Sequence, residues 1–393
     1  METSMNSATS ERQKTLTFSC SSCGGRPVWD PSLRKLKCPF CGSVDEIEID
    51  QTPPEVYDIH TAPSKQAMEW GEKTQVVRCE GCGAQTVLGQ GESASVCPFC
   101  GSPRILEDQS SAGIAPESIL PFEVTKEAAV SSFRGWLKKK LFAPGKAKRM
   151  AALGQITGVY LPHWAYDSDT ISHYIGEAGY HYQVEVQVEV ERDGKKVKET
   201  RMETRTRWEP TSGVVSHSFR EILIPGSTRL PESLLEQVQP YQLKELCRYH
   251  PGFVAGFMAE KPEVDVQEGW KSAQRKIENE MESRARSDIL SRADEARVNS
   301  TSHTHSHVGY KLSLLPMYLS SFTYQDKTYH VLINGQSGKC SGQSPVSAGR
   351  VVLAVALVAA LIFALWYFVF RNGGDAETLE LTGQELMQWM NFV

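Results

Sequence analysis

The stretch Cys20-Ser-Ser-Cys23-Gly24, followed by Cys38-Pro-Phe-Cys41-Gly42, decides the architecture of this chain. The pattern recurs as Cys79-Glu-Gly-Cys82-Gly83 followed by Cys97-Pro-Phe-Cys100-Gly101, with each cysteine 59 positions after its counterpart. A gap of two residues lets both thiolates of a pair reach one ion, and two pairs supply the four soft ligands that structural zinc prefers. The glycine after each second cysteine permits a positive φ, so backbone N–H groups can turn towards the sulfurs. The sequence therefore predicts two structural Zn²⁺ sites, closed by four thiolates each and without an open position for catalysis.

Three other roles for these eight cysteines have to be weighed. Disulfides would need an oxidising compartment, and the N-terminus does not look like a signal peptide. Iron–sulfur ligation usually shows uneven cysteine spacing. Interleaved ligation, with pairs from different units sharing one ion, stays open, although each repeated unit already contains a complete quartet. Cys247 and Cys340 lie outside the quartets, and we interpret them as ordinary thiols.

The chain has 393 residues, of which 23% are charged and 40% hydrophobic, and its formal net charge is -5. This length allows two or three domains. The mild acidity argues against nucleic-acid binding by the protein as a whole, although a local basic patch could still bind.

The patterns predict two tandem β-hairpin zinc-knuckle units, an α+β domain with an antiparallel sheet, and one C-terminal transmembrane helix. The regions are a disordered N-terminus (1–17), zinc ribbon 1 (18–50), a linker (51–74), zinc ribbon 2 (75–106), a second linker (107–113), the α+β domain (114–345), the transmembrane helix (350–371) and a short acidic, amphipathic tail (372–393).

Each ribbon is predicted to be two knuckles joined by a short hairpin. In ribbon 1, Pro27–Trp29 and Leu33–Lys37 flank a turn at Asp30-Pro31-Ser32. In ribbon 2, Thr86–Leu88 and Ala94–Val96 flank a glycine-containing turn.

Three helices are predicted in the α+β domain. The first has Thr125 as its N-cap, ends at Pro144-Gly145, and has an apolar face of Ala129, Val130, Phe133, Trp136, Leu137 and Leu141. The second covers 231–249. The third covers 268–298, with an apolar stripe of Trp270, Ala273, Ile277, Met281, Ala285 and Ile289.

The end of the first helix is basic, with Lys138, Lys139, Lys140, Lys146, Lys148 and Arg149. Cations suit a helix C-terminus, and charge runs are usually solvated, so we interpret this run as a solvated face. Contact with anionic lipid head groups or nucleic acid is the alternative.

Alternating patterns predict the strands. Val184, Val186, Val188 and Val190 alternate with polar residues, and Asp193-Gly194 is a turn signal. The return strand alternates Thr200, Met202, Thr204, Thr206 and Trp208 with Arg201, Glu203, Arg205 and Arg207. This predicts a hairpin with one buried and one charged face. Whether Lys195 belongs to the turn stays open. Further strands are predicted at 159–166, 310–322 and 329–333.

No catalytic residues are predicted. His303, His305 and His307 would share one face of a strand and could hold a metal, but an exposed polar strand is our interpretation. Gly335-Gln-Ser-Gly338-Lys339 resembles part of a P-loop and lacks its four-residue gap between glycines. No nucleophile–base constellation is apparent.

Val351–Phe370 contains neither charge nor proline and is bracketed by Arg350 and Arg371. At about 1.5 Å per residue it spans roughly 30 Å, the thickness of a hydrocarbon core. The sequence therefore predicts a single membrane span at 351–370. Zinc thiolates need a reducing compartment, and Lys339 and Arg350 outnumber Arg371 at the flanks. We expect the N-terminal domains in the cytoplasm and the C-terminus outside.

Four stretches resemble a family of bacterial membrane-anchored proteins. They are the paired Cys-Pro-Phe-Cys-Gly ribbons, Gly135–Pro144, Gly158–Trp164 and Val331–Lys339, within a resemblance that spans most of residues 18–345. Members are called TFIIB-type zinc-ribbon proteins or, misleadingly, primosomal protein N′-like helicases. In bacilli, relatives occur beside the phage-shock protein PspA and an SPFH-domain protein. The resemblance implies that such proteins recruit PspA and SPFH-domain partners to the membrane during envelope stress.

The sequence leads to three functional hypotheses. The first is a membrane-anchored zinc-ribbon scaffold that recruits proteins to the cytoplasmic face. The alternative is a membrane-tethered nucleic-acid-binding protein of replication or transcription, suggested by Arg34, Lys35 and Lys37 on ribbon 1. An enzyme within 114–345 ranks last, and we predict no enzymatic activity.

Overall fold

The structure is a computed structural model that describes residues 19–47, 52–61, 75–88, 97–100, 102, 105–108, 116–153, 156–192 and 195–372. The predictions for residues 1–17, for the strand at 94–96 and for tail residues 373–393 lie outside this part of the chain.

Within the described residues, the first strands are β1 (Val28–Asp30), β2 (Lys35–Lys37), β3 (Val44–Asp45), β4 (Tyr57–Asp58), β5 (Gln75–Cys79), β6 (Gln85–Leu88), β7 (Ile105–Asp108) and β8 (Ser118–Ile119). The later strands are β9 (Thr157–Arg192), β10 (Lys195–Pro225), β11 (Cys247–Arg248), β12 (Met258–Glu260), β13 (Glu295–Tyr324), β14 (Lys327–Asn334) and β15 (Cys340–Gly342). The α-helices are α1 (Lys126–Lys139), α2 (Gly145–Leu153), α3 (Glu232–Gln237), α4 (Val266–Leu290) and α5 (Ala348–Asn372).

Three long strands form the centre of the main sheet, with β9 between β10 and β13. Shorter strands widen it to twelve strands. The pairings of β12 with β9 and of β13 with β8 are parallel, so the predicted antiparallel sheet is in fact mixed. Its largest core lies at the start of β9, where Phe122 stacks on Phe257 and contacts Tyr160 edge-on, at centroid distances of 4.1 and 5.0 Å.

Helix α4 covers one face of the three long strands. Its N-cap is Asp265, whose carboxylate accepts the Gln267 N–H at 2.8 Å. The predicted stripe is confirmed at five positions, all buried: Ala273, Ile277, Met281, Ala285 and Ile289. The helix ends at Leu290 and not at 298, because residues from Glu295 onward pair with β9 as strand β13. The hydrogen bonds between β13 and β9 stabilise residues 295–298 as a strand, although their apolar spacing also fits a helix.

The helix predicted over 231–249 is wrong for most of its length. Helix α3 covers Glu232–Gln237, and Pro240 follows, which has no N–H for a helical hydrogen bond. Leu234, Leu235 and Val238 are buried and anchor the short helix. A 3-10 turn at Leu243–Glu245 leads into β11, which pairs with β8.

The long hairpin of β9 and β10 differs from its prediction. Lys195 pairs with Arg192 and so belongs to the strand. In this register Val184 lies opposite Glu203 and Val186 opposite Arg201, so apolar and charged side chains share one face. β13 begins opposite Gly179, which leaves the hairpin two-stranded beyond that point. The predicted buried face is therefore wrong for this part, which projects as an exposed arm.

Both ribbons make direct contacts with the α+β domain. In ribbon 1, β1, β2 and β3 form a small sheet, and the Trp29 indole donates to the Phe122 carbonyl at 2.9 Å. In ribbon 2, β6 pairs with β12 of the main sheet. Within the predicted linker 51–74, β4 pairs with β13, and Ile59 is buried. Strand β7 extends two residues into the predicted linker 107–113.

Helix α1 has the predicted N-cap, since the Thr125 hydroxyl accepts the Ala128 N–H at 3.3 Å. It ends at Lys139, before Pro144, and leaves Leu141 exposed rather than on the apolar face. Helix α5 includes a segment, Ala348–Phe368, that is long and apolar enough to cross a membrane, and none of it is buried.

We predict that Ile277→Ala lowers the free energy of unfolding by about 2–5 kcal/mol, because it removes buried methylene groups between α4 and the sheet. Denaturant titration of the detergent-solubilised protein, followed by tryptophan fluorescence, measures the change. Glu282→Ala, at an exposed position of the same helix, is the matched control and should leave the midpoint unchanged. Equal midpoints for the two variants would contradict the observed packing of α4.

Candidate metal centres

Two separate groups of four sulfurs are positioned for metal ions. One contains Cys20, Cys23, Cys38 and Cys41, and the other contains Cys79, Cys82, Cys97 and Cys100. Within each group all Sγ atoms lie within 4.8 Å of one another. Each quartet draws on a single ribbon, as predicted, so the interleaved alternative is wrong.

The sulfur–sulfur distances fit a tetrahedral site. Cys20 to Cys41 and Cys23 to Cys38 are 3.5 Å apart, and the equivalent pairs of ribbon 2 are 3.6 and 3.7 Å apart. Four sulfurs at about 2.3 Å from one ion are about 3.8 Å apart in a tetrahedron. A disulfide bond is only about 2.05 Å long. The ten cysteines are all free thiols, so the disulfide alternative does not describe this structure.

The backbone of the knuckles explains how each pair converges. Cys20 N–H donates to the Gly25 carbonyl at 2.7 Å, and Gly24 N–H donates back to the Cys20 carbonyl at 2.9 Å. In the equivalent turn of ribbon 2, the Cys79 N–H donates to the carbonyl of Ala84, at 2.9 Å. The predicted positive φ is confirmed at Gly24, Gly42 and Gly83, with values of 72°, 76° and 73°. Gly101 is outside the described residues.

Hydrogen bonds favour the metal-binding thiolate form of Cys20 in the first quartet and of Cys79 in the second, whereas burial raises the pKa of Cys82. The Ser43 hydroxyl, 2.8 Å from the Cys20 sulfur, together with backbone N–H groups, lowers the pKa of Cys20 to about 6. Burial raises the pKa of Cys79, but N–H groups of Cys82 and Gly81 outweigh it and lower the pKa to about 7. Each site thus holds at least one sulfur that deprotonates near neutral pH, which favours metal capture.

Sequence reasoning missed two groups that support the sites. Ser43 has its counterpart at Ser102, at the same 59-residue offset as the cysteines, and the repeat could have revealed it. Arg229 holds ribbon 2 to the domain, since its guanidinium donates to the Cys82 and Gly83 carbonyls and pairs with Glu263. Arg229 lies far from the ribbon in sequence, and no local pattern marks it.

The three histidines do not form a common site. His303 and His305 lie under α4, with their Nδ1 atoms 2.6 Å from Ser172 Oγ and 3.1 Å from Thr170 Oγ1. Burial lowers the pKa of His305. A β-bulge between Ser306 and Gly309 separates His307, which is exposed. The prediction of one shared, exposed face is therefore wrong, because α4 covers the first two rings and the bulge turns the third away.

The cations of ribbon 1 are engaged by carboxylates. Lys35 Nζ is 2.6 Å from Glu46, Lys37 Nζ is 3.8 Å from Asp30, and the Arg34 guanidinium is 3.7 Å from Glu123. This pairing reduces the positive charge that ribbon 1 can offer to a phosphate backbone.

A cleft of about 830 Å³ separates ribbon 1 from the α+β domain. Its lining includes Trp29, Phe257, Met258 and Tyr318, together with Lys126 of α1. Of the four cysteines of ribbon 1, Cys38 lines this cleft and the other three do not.

Comparison with known proteins identifies one similar bacterial chain. The uncharacterized protein YdjG of Bacillus subtilis (strain 168) is 26% identical over 337 residues, which cover 86% of this chain and 92% of YdjG. No family model matches the chain. No solved structure matches it either.

We expect the full-length protein to carry two metal ions per chain, and native mass spectrometry should count them and weigh each one. Cys38→Ser should leave one ion, bound by ribbon 2, because the quartets share no ligand. Cys340→Ser, outside both quartets, is the control and should keep two. A Cys38→Ser protein that retains both ions, or loses both, would contradict the two-centre arrangement.

Proposed function

We propose that the chain is a membrane-anchored adaptor whose zinc-stabilised cytoplasmic domains recruit protein partners to the cell membrane. The observation that carries this proposal is an exposed apolar surface on the side of the long sheet that α4 leaves uncovered. We call it the open face and define it by Ile171, Ile175 and Val214, which are 46%, 60% and 57% exposed.

The open face has the composition of a protein-binding surface. Ile171 lies between Ser216 and Thr304 on the neighbouring strands, and Ile175 lies between Ser212 and Ser300. Apolar anchors within a polar rim are typical of protein interfaces, and burying each anchor contributes about 1.5–3 kcal/mol. All three side chains are β-branched, which restricts their χ1 angles, so a partner would lose less side-chain entropy in binding them.

Two further features support an adaptor. Each quartet offers an ion four thiolates and no fifth position, which favours structural Zn²⁺ over a catalytic metal. The apolar segment of α5 would keep the open face at the membrane. The resemblance of the sequence to TFIIB-type zinc-ribbon membrane proteins suggests PspA-like and SPFH-domain proteins as the partners, in envelope stress.

Nucleic-acid binding has weaker support. The three cations that suggested it are each paired with a carboxylate. Steep salt dependence of binding to DNA would be its signature.

We predict that the combined change Ile171→Ser, Ile175→Ser and Val214→Ser abolishes partner capture without unfolding the protein, because all three side chains are exposed. Affinity capture from detergent-solubilised membranes of the protein's own cells, quantified by mass spectrometry, should show PspA-like or SPFH-domain proteins with the unaltered chain. The matched control is Ile171→Val, Ile175→Val and Val214→Ile, which keeps the surface apolar. Equal capture by the serine variant would rule out the open face as the recruiting surface.

We also predict the orientation in the membrane. The change Thr382→Cys should make the protein reactive with a membrane-impermeant maleimide on intact cells, while Ser7→Cys should react only after permeabilisation. The reason is that zinc thiolates need a reducing compartment and that cations are more numerous on the N-terminal flank. The parent chain, measured alongside, corrects for native thiols. The opposite labelling pattern would place the ribbons outside the cell.

A further inference from the structure

The start of α5 is tied to the segment that joins α1 to α2. The Arg350 guanidinium donates to the carbonyls of Leu141 and Ala143, at 3.1 and 2.6 Å. The Ser347 N–H donates to the carbonyl of Phe142, at 2.9 Å. Arg350 is the last charge before the apolar segment, and a charge at this place in a spanning helix lies at the level of the lipid head groups. The segment held by Arg350 therefore lies at that level as well.

This segment exposes large apolar side chains. Leu141 is 72% exposed and Phe142 is 45% exposed, while Val346, just before α5, is 67% exposed. Met150 of α2 is also exposed. Leu141 continues the spacing of the apolar face of α1, but the helix ends at Lys139, so the side chain leaves the core. Exposed apolar groups grouped around the entry of a spanning helix are typical of a membrane-facing surface.

The same segment is rich in cations. Six of them flank the exposed pair: Lys138, Lys139, Lys140, Lys146, Lys148 and Arg149. The sequence contains neither Asp nor Glu between residues 128 and 166. Among the residues that the structure describes, none of the six cations forms a salt bridge, although Lys140 lies over the Trp136 ring, 4.9 Å from its centroid.

Helix electrostatics explains only part of this charge. Lys138 and Lys139 occupy the last turn of α1, where the helix dipole favours cations. Lys146 lies in the first turn of α2, where the dipole disfavours them. Its neighbours Lys148 and Arg149 also lack a carboxylate partner in the described part of the chain. An external anion would compensate this cluster.

We propose that the α1–α2 surface, defined by residues 138–150, is a binding site for anionic phospholipid. Leu141 and Phe142 enter the boundary between head groups and acyl chains, and the six cations bind lipid phosphates. This inference rests on the membrane anchoring in the proposed function. It makes α5 one of two attachments of the protein to the membrane, and the second attachment prevents the α+β domain from rotating freely about the helix.

Photo-crosslinking of the full-length protein in lipid nanodiscs tests the proposal. A p-benzoylphenylalanine replaces Phe142, and the same group at Leu353, within α5, is the positive control. Met202, 56% exposed on the projecting arm, is the negative control. One set of nanodiscs contains phosphatidylcholine alone, and the other adds anionic phosphatidylglycerol. We expect lipid adducts at 142 and 353 but not at 202, and more adduct at 142 when the anionic lipid is present.

Substitution of three lysines then tests whether the cations cause the preference for anionic lipid. The change Lys138→Gln, Lys139→Gln and Lys140→Gln should remove the phosphatidylglycerol enhancement, since each cation near an anionic surface contributes about fivefold to membrane affinity. The matched control is Lys244→Gln, Lys271→Gln and Lys327→Gln, at exposed positions elsewhere, and should preserve it.

The outcomes separate this inference from the proposed function. Adducts at 353 without adducts at 142 would overturn the lipid site and leave the membrane span intact. Absence of adducts at both positions would overturn the span itself. Equal adduct yields at 142 in both lipid mixtures would overturn the preference for anionic lipid. Salt-sensitive binding of a fluorescein-labelled oligonucleotide that the triple Gln variant abolishes would assign the cations to nucleic acid instead.

Discussion

The pairing of β9 with β10 on one side and β13 on the other is the constraint on which the rest of the structure depends. β9 and β10 form a hairpin, but β9 and β13 pair residues more than a hundred positions apart, and the loop-closure entropy of that pairing has to be offset by the ladders and by the buried faces. Helix α4 has a surface to cover only because the three strands lie side by side. Ribbon 2 reaches the domain through β12, which pairs with the first residues of β9.

How far the sequence predicted the structure depends on the range of each interaction. The metal ligands lie within short repeated motifs, and the stripe on α4 follows one helical period, so both could be read locally. The end of α4 could not, because Ala296 and Val298 fit a helix as well as the strand that pairs with Ala178 and Gly176. The open face has no local signal in the sequence, since Ile171 and Ile175 stand among serines, threonines and histidines with no continuous alternation of apolar residues. The sequence predicts Arg350 as a flanking charge, but its contacts with Leu141 and Ala143 exist only in the folded chain.

Two of the exposed apolar surfaces, the open face and the α1–α2 surface, have different surroundings, and this contrast is why we propose different roles for them. At the open face, Ile175 lies between Ser212 and Ser300 and Val214 lies opposite His173, a mostly polar setting without a cluster of cations, which suits a protein surface. At the α1–α2 surface, Leu141 and Phe142 are surrounded by cations, which suits anionic head groups. In our proposal a single domain would present the α1–α2 surface to the membrane and the open face to partners, with the sheet connecting the two.

Ribbon 2 is part of the main sheet, because β6 pairs with β12. The folding of the α+β domain is therefore coupled to the metal centre of ribbon 2. Cys79 and Cys97 pack in the same core as Leu120, Leu234 and Leu332. The Arg229 guanidinium donates a hydrogen bond to the carbonyl of Cys82 in the same ribbon. Loss of the ion would leave four buried or half-buried sulfurs without their common ligand, next to the strand β6 that pairs with β12. Newly made chains would then complete the main sheet only after ribbon 2 has bound its ion. The yield of folded protein would therefore follow the supply of metal.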